Sequence, residues 1–293
     1  MRYLDRVHPI GAFVYFAAVI VVAMLTMHPV VVSICYLTGL SLYGVLCGTR
    51  RLVKSLGFSV PMMLLVALLN PILSHKGSTV LLFLNDTPIT LESVVFGAVF
   101  GLMIAAVFYW FASYSEVMTS DKVIYLFGRV IPRLSLLLSM TLSAIPRLKR
   151  QYREIDDARR ALDPDADGGV SAKLHRGAGV FSALVSRALE GSIETADSMR
   201  ARGYGLRGRT AYSIFRFTAW DAAWLALTLV LLSAVVLLLT VGGVGYSYYP
   251  ALGQIGYTAT DATLYAALTL LCGISILMEV KETILWHILR SKV

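Results

Sequence analysis

Few side chains in this sequence could do chemistry, and their spacing argues against catalysis. His8, His28, His75, His175 and His287 form neither an H-x-x-x-H nor an H-E-x-x-H pair, so no helix face carries a metal-ligand set. Cys35, Cys47 and Cys272 lie inside apolar runs without metal-ligand spacing and read as small buried hydrophobes. Glu154, Asp156 and Asp157 supply neighbouring acids, but no histidine stands near to complete a nucleophile–base constellation. The run Asp163-Pro164-Asp165-Ala166-Asp167-Gly168 opens like a calcium loop. Leu174, however, occupies the position that must hold the closing glutamate, so the run reads as a solvated turn. No G-x-x-x-x-G-K-[ST] phosphate loop occurs. No catalytic residue and no metal ligand is therefore assigned. What remains is ion pairing by guanidinium groups clustered at the ends of charged helical stretches, Arg202 among them. An arginine held at the tip of a stiff helix suits an acidic groove on another protein.

The elements that must position these arginines lie in a segment of about a hundred residues, 116–219, too long for a plain loop. It holds seventeen basic and eleven acidic residues, a net charge of +6. Anionic lipid or nucleic acid would accept that balance. The basic groups cluster at helix ends, not along one stripe, so no nucleic-acid partner is expected. A first helix is expected over about Arg133–Leu162, with Leu134, Leu137, Leu138, Leu142, Ile145 and Leu148 at helical spacing and a kink at Pro146. A second is expected over about Val180–Arg202. There Leu184, Leu189, Ile193, Ala196 and Met199 share one face, opposite Arg187, Glu190, Glu194 and Asp197. Gly203 suits the left-handed position just past the helix, which leaves Arg202 in the last turn, where the helix dipole favours a cation. Periodicity leaves open whether Ala201-Arg202-Gly203 is an ordinary cap or a docking tip.

Composition fixes the setting. The chain has 293 residues, 57% of them hydrophobic and only 15% charged, with 26 Lys+Arg against 18 Asp+Glu and a net charge of +8. Its mean hydropathy is +0.71. Soluble domains carry about 45–50% apolar and about 25% charged residues. A disordered chain, a disulfide scaffold and a soluble enzyme are excluded, and an all-α integral membrane protein is expected. Six apolar windows are long enough to span: Ile10–Met27, Pro29–Cys47, Ser55–Leu73, Leu91–Ser115, Trp220–Val241 and Asp261–Leu277. The first lacks a cleavage site and is followed at once by another run, so it does not read as a signal peptide. With both termini cytoplasmic, 25 of the 26 basic residues face the cytoplasm and only Lys76 lies outside. The chain then divides into residues 1–115 with four spans, a cytoplasmic helical domain 116–219, and residues 220–293 with two spans and an amphipathic tail.

Glu92, Asp221, Asp261 and Glu279 sit at the ends of these windows, and no ionisable residue lies near a centre. A carrier driven by proton relays is disfavoured, although sodium sites built from carbonyls stay open. Energy for any work must come from another chain. Gly44-x-x-x-Gly48 and Gly97-x-x-x-Gly101, extended by Ala105, allow close helix packing, within the chain or against a second membrane protein. Thr79–Leu84 and Thr87–Leu91 around Asn85-Asp86 read as a short hairpin or an ordered loop. Tyr246, Tyr248, Tyr249 and Tyr257 suit an interfacial belt; Trp220, Trp224 and Trp286 suit anchors at the opposite face.

Glu194-Thr-Ala-Asp-Ser-Met-Arg-Ala-Arg-Gly-Tyr-Gly205, followed by Arg209-Thr210, resembles the Ala-Arg-Gly motif of the transmembrane T component of energy-coupling factor (ECF) importers. His8-Pro9 near the start, several spans, a cytoplasmic helical domain and further spans match the plan of that family. The resemblance implies a non-catalytic scaffold that joins two ECF ATPase subunits to a membrane-embedded substrate-binding S component, in the cell membrane of a prokaryote. It implies vitamins or transition-metal ions as cargo, and ATP bound only by the partners, with no cofactor in this chain. It also implies two coupling helices, each ending in an ATPase-contacting arginine motif. Ala201, Arg202 and Gly203 fall on the second motif. The first reads Ala158-Arg159-Arg160-Ala161-Leu162-Asp163, with Leu162 in direct register and Arg159 or Arg160 as substitutes. The alternatives are a stand-alone secondary carrier with a cytoplasmic regulatory insert, and a membrane-embedded enzyme, for which no constellation is found.

Overall fold

The computed structural model describes residues 3–74, 77–84, 87–162, 169–206, 215–241, 245–254, 256 and 258–290. His75, Lys76, Asn85-Asp86, the turn Asp163–Gly168, Arg209-Thr210 and Tyr257 lie outside them, as does the Trp286 side chain. The described residues are 83% helical, which places the chain in the all-α class. It divides into two compact units, residues 1–123 with 215–293, and residues 124–214.

The first unit carries the apolar runs. After α1 (Tyr3–Arg6), the first run becomes α2 (Pro9–Leu25). Pro9 opens α2 with its φ preset, and the His8 side chain caps it by accepting from the Ile10 N–H at 3.3 Å. Its 17 residues rise about 25 Å, the short end of what crosses hydrocarbon. Among the described residues five other helices, all longer than α2, are long and apolar enough to cross by length and composition: α3 (Pro29–Cys47), α4 (Thr49–Leu73), α5 (Leu91–Val117), α9 (Ala219–Val241) and α10 (Ala259–Arg290). Between α4 and α5, β1 (Val80–Leu84) and β2 (Thr87–Thr90) pair antiparallel, which resolves the hairpin-or-loop alternative. Glu92, in the first turn of α5, ties this hairpin down by accepting from Ser78 Oγ and from the Thr79 hydroxyl at 2.8 Å.

Several sequence expectations are corrected. The helix holding the Ser55–Leu73 window, α4, starts six residues earlier, at Thr49, and takes in Arg50, Arg51 and Lys54. The amphipathic tail is continuous with the last apolar run in the 32-residue α10, so Glu279 lies inside a helix, 2% exposed, and not at its end. Trp224 is not an interfacial anchor: it is buried, 5.6 Å from the Tyr15 ring and against Gly11. Tyr248 is likewise buried, its hydroxyl donating to the Met27 carbonyl and its ring meeting Phe96.

Hydrocarbon offers no water, so buried polar groups must find partners inside the bundle. Tyr15 Oη on α2 donates toward the Leu271 and Cys272 carbonyls at 3.1 and 3.2 Å and lies 2.8 Å from Ser275 Oγ on α10. Trp110 Nε1 on α5 donates to the Cys35 carbonyl on α3 at 2.9 Å. Around these bonds Phe16, Leu42, Leu264, Leu268 and Leu271 are fully buried. The small residues act unequally. A Cβ at Gly97 would stand 2.8 Å from the Ala67 carbonyl oxygen, and one at Gly101 2.7 Å from that of Met63, so α4 and α5 touch backbone to backbone there. Gly44 meets only the Leu52 side chain. Gly48 makes no helix–helix contact; it turns the chain between α3 and α4 at φ +81° and ψ 161°, a region essentially confined to glycine that costs other residues about 1–3 kcal/mol. The tightest glycine of α3 is Gly39, whose Cβ would lie 2.9 Å from Trp110 Nε1.

The second unit is built from α7 (Pro132–Leu162) and α8 (Val170–Ala201), preceded by α6 (Ser120–Val130), which begins in the first unit. The helix runs on through Pro146 in α7. Gly177 and Gly179 do not interrupt α8, which starts ten residues earlier than periodicity indicates.

Candidate functional site

The candidate site comprises the ends of α7 and α8. At the end of α8 the Gly203 N–H donates to the Arg200 carbonyl at 3.0 Å and the Tyr204 N–H to the Met199 carbonyl at 2.9 Å. This is the Schellman pattern, and it satisfies carbonyls the helix itself leaves unpaired. Gly203 takes φ +78°, and a Cβ there would also press within 3.0 Å of Leu206 Cδ1. Gly205 follows at φ +102°. Arg202 therefore occupies the cap of a 32-residue helix, exposed, with Ala201 and Gly205 exposed beside it. Among the described residues Arg202 makes no ion pair. Tyr204 and Leu206, at 44% and 73% exposure, give the tip an apolar rim that sequence reasoning missed.

The two arginines of α7 are disposed differently. Arg160 points outward, its side chain 57% exposed, and reaches back to Asp156 at 3.0 Å. Asp156 is shared with Arg176 of α8, at 3.5 Å. Arg159 is half-buried, its guanidinium lying over Gly179 of α8 so closely that a Cβ at that glycine would overlap Nη1. Glu154 faces Arg187 at 3.9 Å. Asp156, Arg176 and Gly179 thus fasten α7 to α8, with Val180 fully buried among them. The four-residue spacing of Asp156 and Arg160 was a readable signal; the partners on α8 were not, because the contact crosses the 163–168 turn.

The α8 face expected to be apolar is covered only in part: Leu184 and Met199 are half-buried, the rest is exposed. Leu189 and Ile193 are 61% and 64% exposed, as are Phe181 on the same helix and Leu134, Leu137 and Ile145 on α7. No group of three or more His, Cys, Asp or Glu residues that could hold a metal ion occurs among the described residues. An exposed guanidinium on a capped helix can form a bidentate pair with a carboxylate. The apolar faces can bury surface against a second protein.

The profile of the CbiQ family, described as a cobalt transport protein, matches residues 2–212, more than two thirds of the chain. The match takes in α1 through α8 and includes Arg159, Arg160 and the Arg202 cap. No curated protein matches the chain. The motif at the end of α8, the apolar helices and this match agree, and the chain belongs to the CbiQ family of cobalt transport proteins, the family of the transmembrane T components of ECF transporters.

Proposed function

We propose that the chain is the scaffold and energy-coupling subunit of an ECF importer. It crosses the cell membrane of a prokaryote with both termini cytoplasmic, and it makes no energy of its own. Two ATPase subunits dock on the ends of α7 and α8, bringing ATP with them. The exposed apolar faces of these helices receive the membrane-embedded S component, which selects the cargo. The family's description names cobalt, which puts a transition-metal ion first among the micronutrients carried.

The observation that carries this reading is the exposed Arg202 at the Schellman-capped end of α8. A helix held by 32 residues of backbone hydrogen bonds transmits displacement along its axis, and a guanidinium is a firm attachment for a carboxylate groove. ATP binding draws the ATPases together, and the tips follow. The lever moves the spans, and the S component tilts or is released.

Arg202→Glu tests the proposal. Losing one partner of a buried, hydrogen-bonded charge pair costs about 2–5 kcal/mol. The variant should insert in the membrane, lose the ATPase subunits on purification, and fail in uptake. Normal uptake by the variant defeats the assignment.

A further inference from the structure

Residues 3–8 grip the chain on both sides of the coupling unit. The first unit ends at Val123, one residue after Lys122, and resumes at Phe215. On the outgoing side, Lys122 Nζ in the first turn of α6 donates to the Leu4 carbonyl at 3.0 Å. The N–H of the same residue, Leu4, donates to Glu279 Oε2 of α10 at 3.1 Å. Lys122 and Glu279 are 3% and 2% exposed. On the returning side, the His8 N–H donates to Asp221 Oδ1 of α9 at 3.0 Å, and the His8 ring meets Phe217 edge-on at 5.0 Å. Asp221 is held in turn by the Thr218 N–H and hydroxyl at 2.9 and 2.6 Å. Leu4 and Val7 are buried between these ties, and Arg6 pairs with Glu282 at 3.3 Å at the rim.

Burying an ammonium and a carboxylate is expensive, and apolar side chains would seal the helix ends as well. Two opposite charges that converge on the backbone of one residue fix its position from two helices at once, which packing alone does not. We propose that residues 3–8 form a strap that holds both necks of the coupling unit, 120–123 and 215–221, as one base. A stroke arriving through α7 and α8 is then delivered to α9 and α10 instead of being lost in separate movements of the two necks. This rests on the coupling reading above. Lys122, Glu279 and Asp221 are positioning residues in it: they touch neither ATP nor cargo.

The experiment uses the complete complex, this chain with its ATPase subunits and S component, in liposomes, with Co²⁺ uptake and ATP hydrolysis read in the same vesicles. Lys122→Met releases the outgoing neck. Phe217→Ala combined with Asp221→Ala releases the returning neck without stranding a charge, and the Phe217 ring is half exposed, so the pair tests the idea even where Lys122→Met fails to assemble. Each variant should keep its ATPase subunits and hydrolyse ATP, while Co²⁺ moved per ATP falls about tenfold, within the usual range of coupling between sites. Glu279→Gln, which keeps an acceptor for the Leu4 N–H, should retain more of that ratio than Glu279→Ala. A Co²⁺:ATP ratio unchanged in the Phe217→Ala, Asp221→Ala double variant overturns the strap and leaves the coupling reading standing. Co²⁺ uptake by a wild-type chain that retains no ATPase subunits overturns the coupling reading itself.

Discussion

At the scale of residues, two arginines one position apart have different work. Arg159 spends its guanidinium on the α7–α8 contact over Gly179, whereas Arg160 is outward-facing and, among the described residues, pairs only with Asp156 on its own helix, a carboxylate that keeps Arg176 as a second partner. Such i,i+4 pairs are worth about 0.3–0.5 kcal/mol, so a partner's carboxylate displaces Asp156 at little cost. Arg160→Glu should weaken ATPase binding in a pull-down severalfold and leave thermal stability unchanged. Arg159→Ala should lower the unfolding midpoint and affect binding less. The reverse ranking would assign the first motif to Arg159. The role of Gly203 was legible in the sequence, because a glycine after a charged helical run has one common use; its φ of +78° and two cap bonds follow that rule. The placement of Arg159 was not legible. It depends on which residue of α8 crosses it twenty positions later, and helical periodicity carries no information about that crossing.

Elements differ in how much of them periodicity can reveal. Long apolar runs marked the helices that became α3, α5 and α9 almost to the residue, since few other structures satisfy their own backbone in hydrocarbon. The eleven-residue α6 was missed because it is too short for an apolar run to announce it. The first third of α8 was missed because Gly177 and Gly179 look like breakers. Glycine contacts within elements make a sharp prediction. Gly101→Ala sets a methyl against the Met63 carbonyl on α4, and overpacking of this kind costs about 1–3 kcal/mol. Gly57→Ala on α4 meets nothing within 4 Å and gains helix propensity. Thermal unfolding in detergent should place Gly101→Ala below the parent and Gly57→Ala level with it or above; equal losses would mean that the α4–α5 contact is looser than described. The turn between α2 and α3 adds a pH dependence. His28 is buried between the rings of Tyr246 and Tyr265, at 5.7 and 5.8 Å. Burial lowers its pKa from the usual value of about 6.5, against a smaller upward pull from Asp261. The folded protein favours the neutral ring, so His28 stabilises the fold above that ordinary value, and the contribution is lost as pH falls through it. The unfolding midpoint should drop between about pH 7.5 and 5.5, and His28→Gln should flatten the profile. An identical profile in that variant would place the acid sensitivity elsewhere.

The whole molecule pairs an apolar helical unit with a charged two-helix unit whose tips and apolar faces are exposed. Composition alone was enough to assign it to the membrane, and the Ala-Arg-Gly-Tyr-Gly run was enough to suggest its family. The polar ties of the N-terminal segment were not readable, because Leu4, Lys122 and Glu279 are more than a hundred residues apart in sequence. On the proposed function the chain relays work and supplies none. The direct measurement is Co²⁺ uptake into liposomes holding this chain and its S component, with and without the two ATPase subunits and ATP. Accumulation is expected only when the ATPases and ATP are both present. Uptake at the same rate by this chain without ATPase subunits would contradict it and make the protein a carrier in its own right.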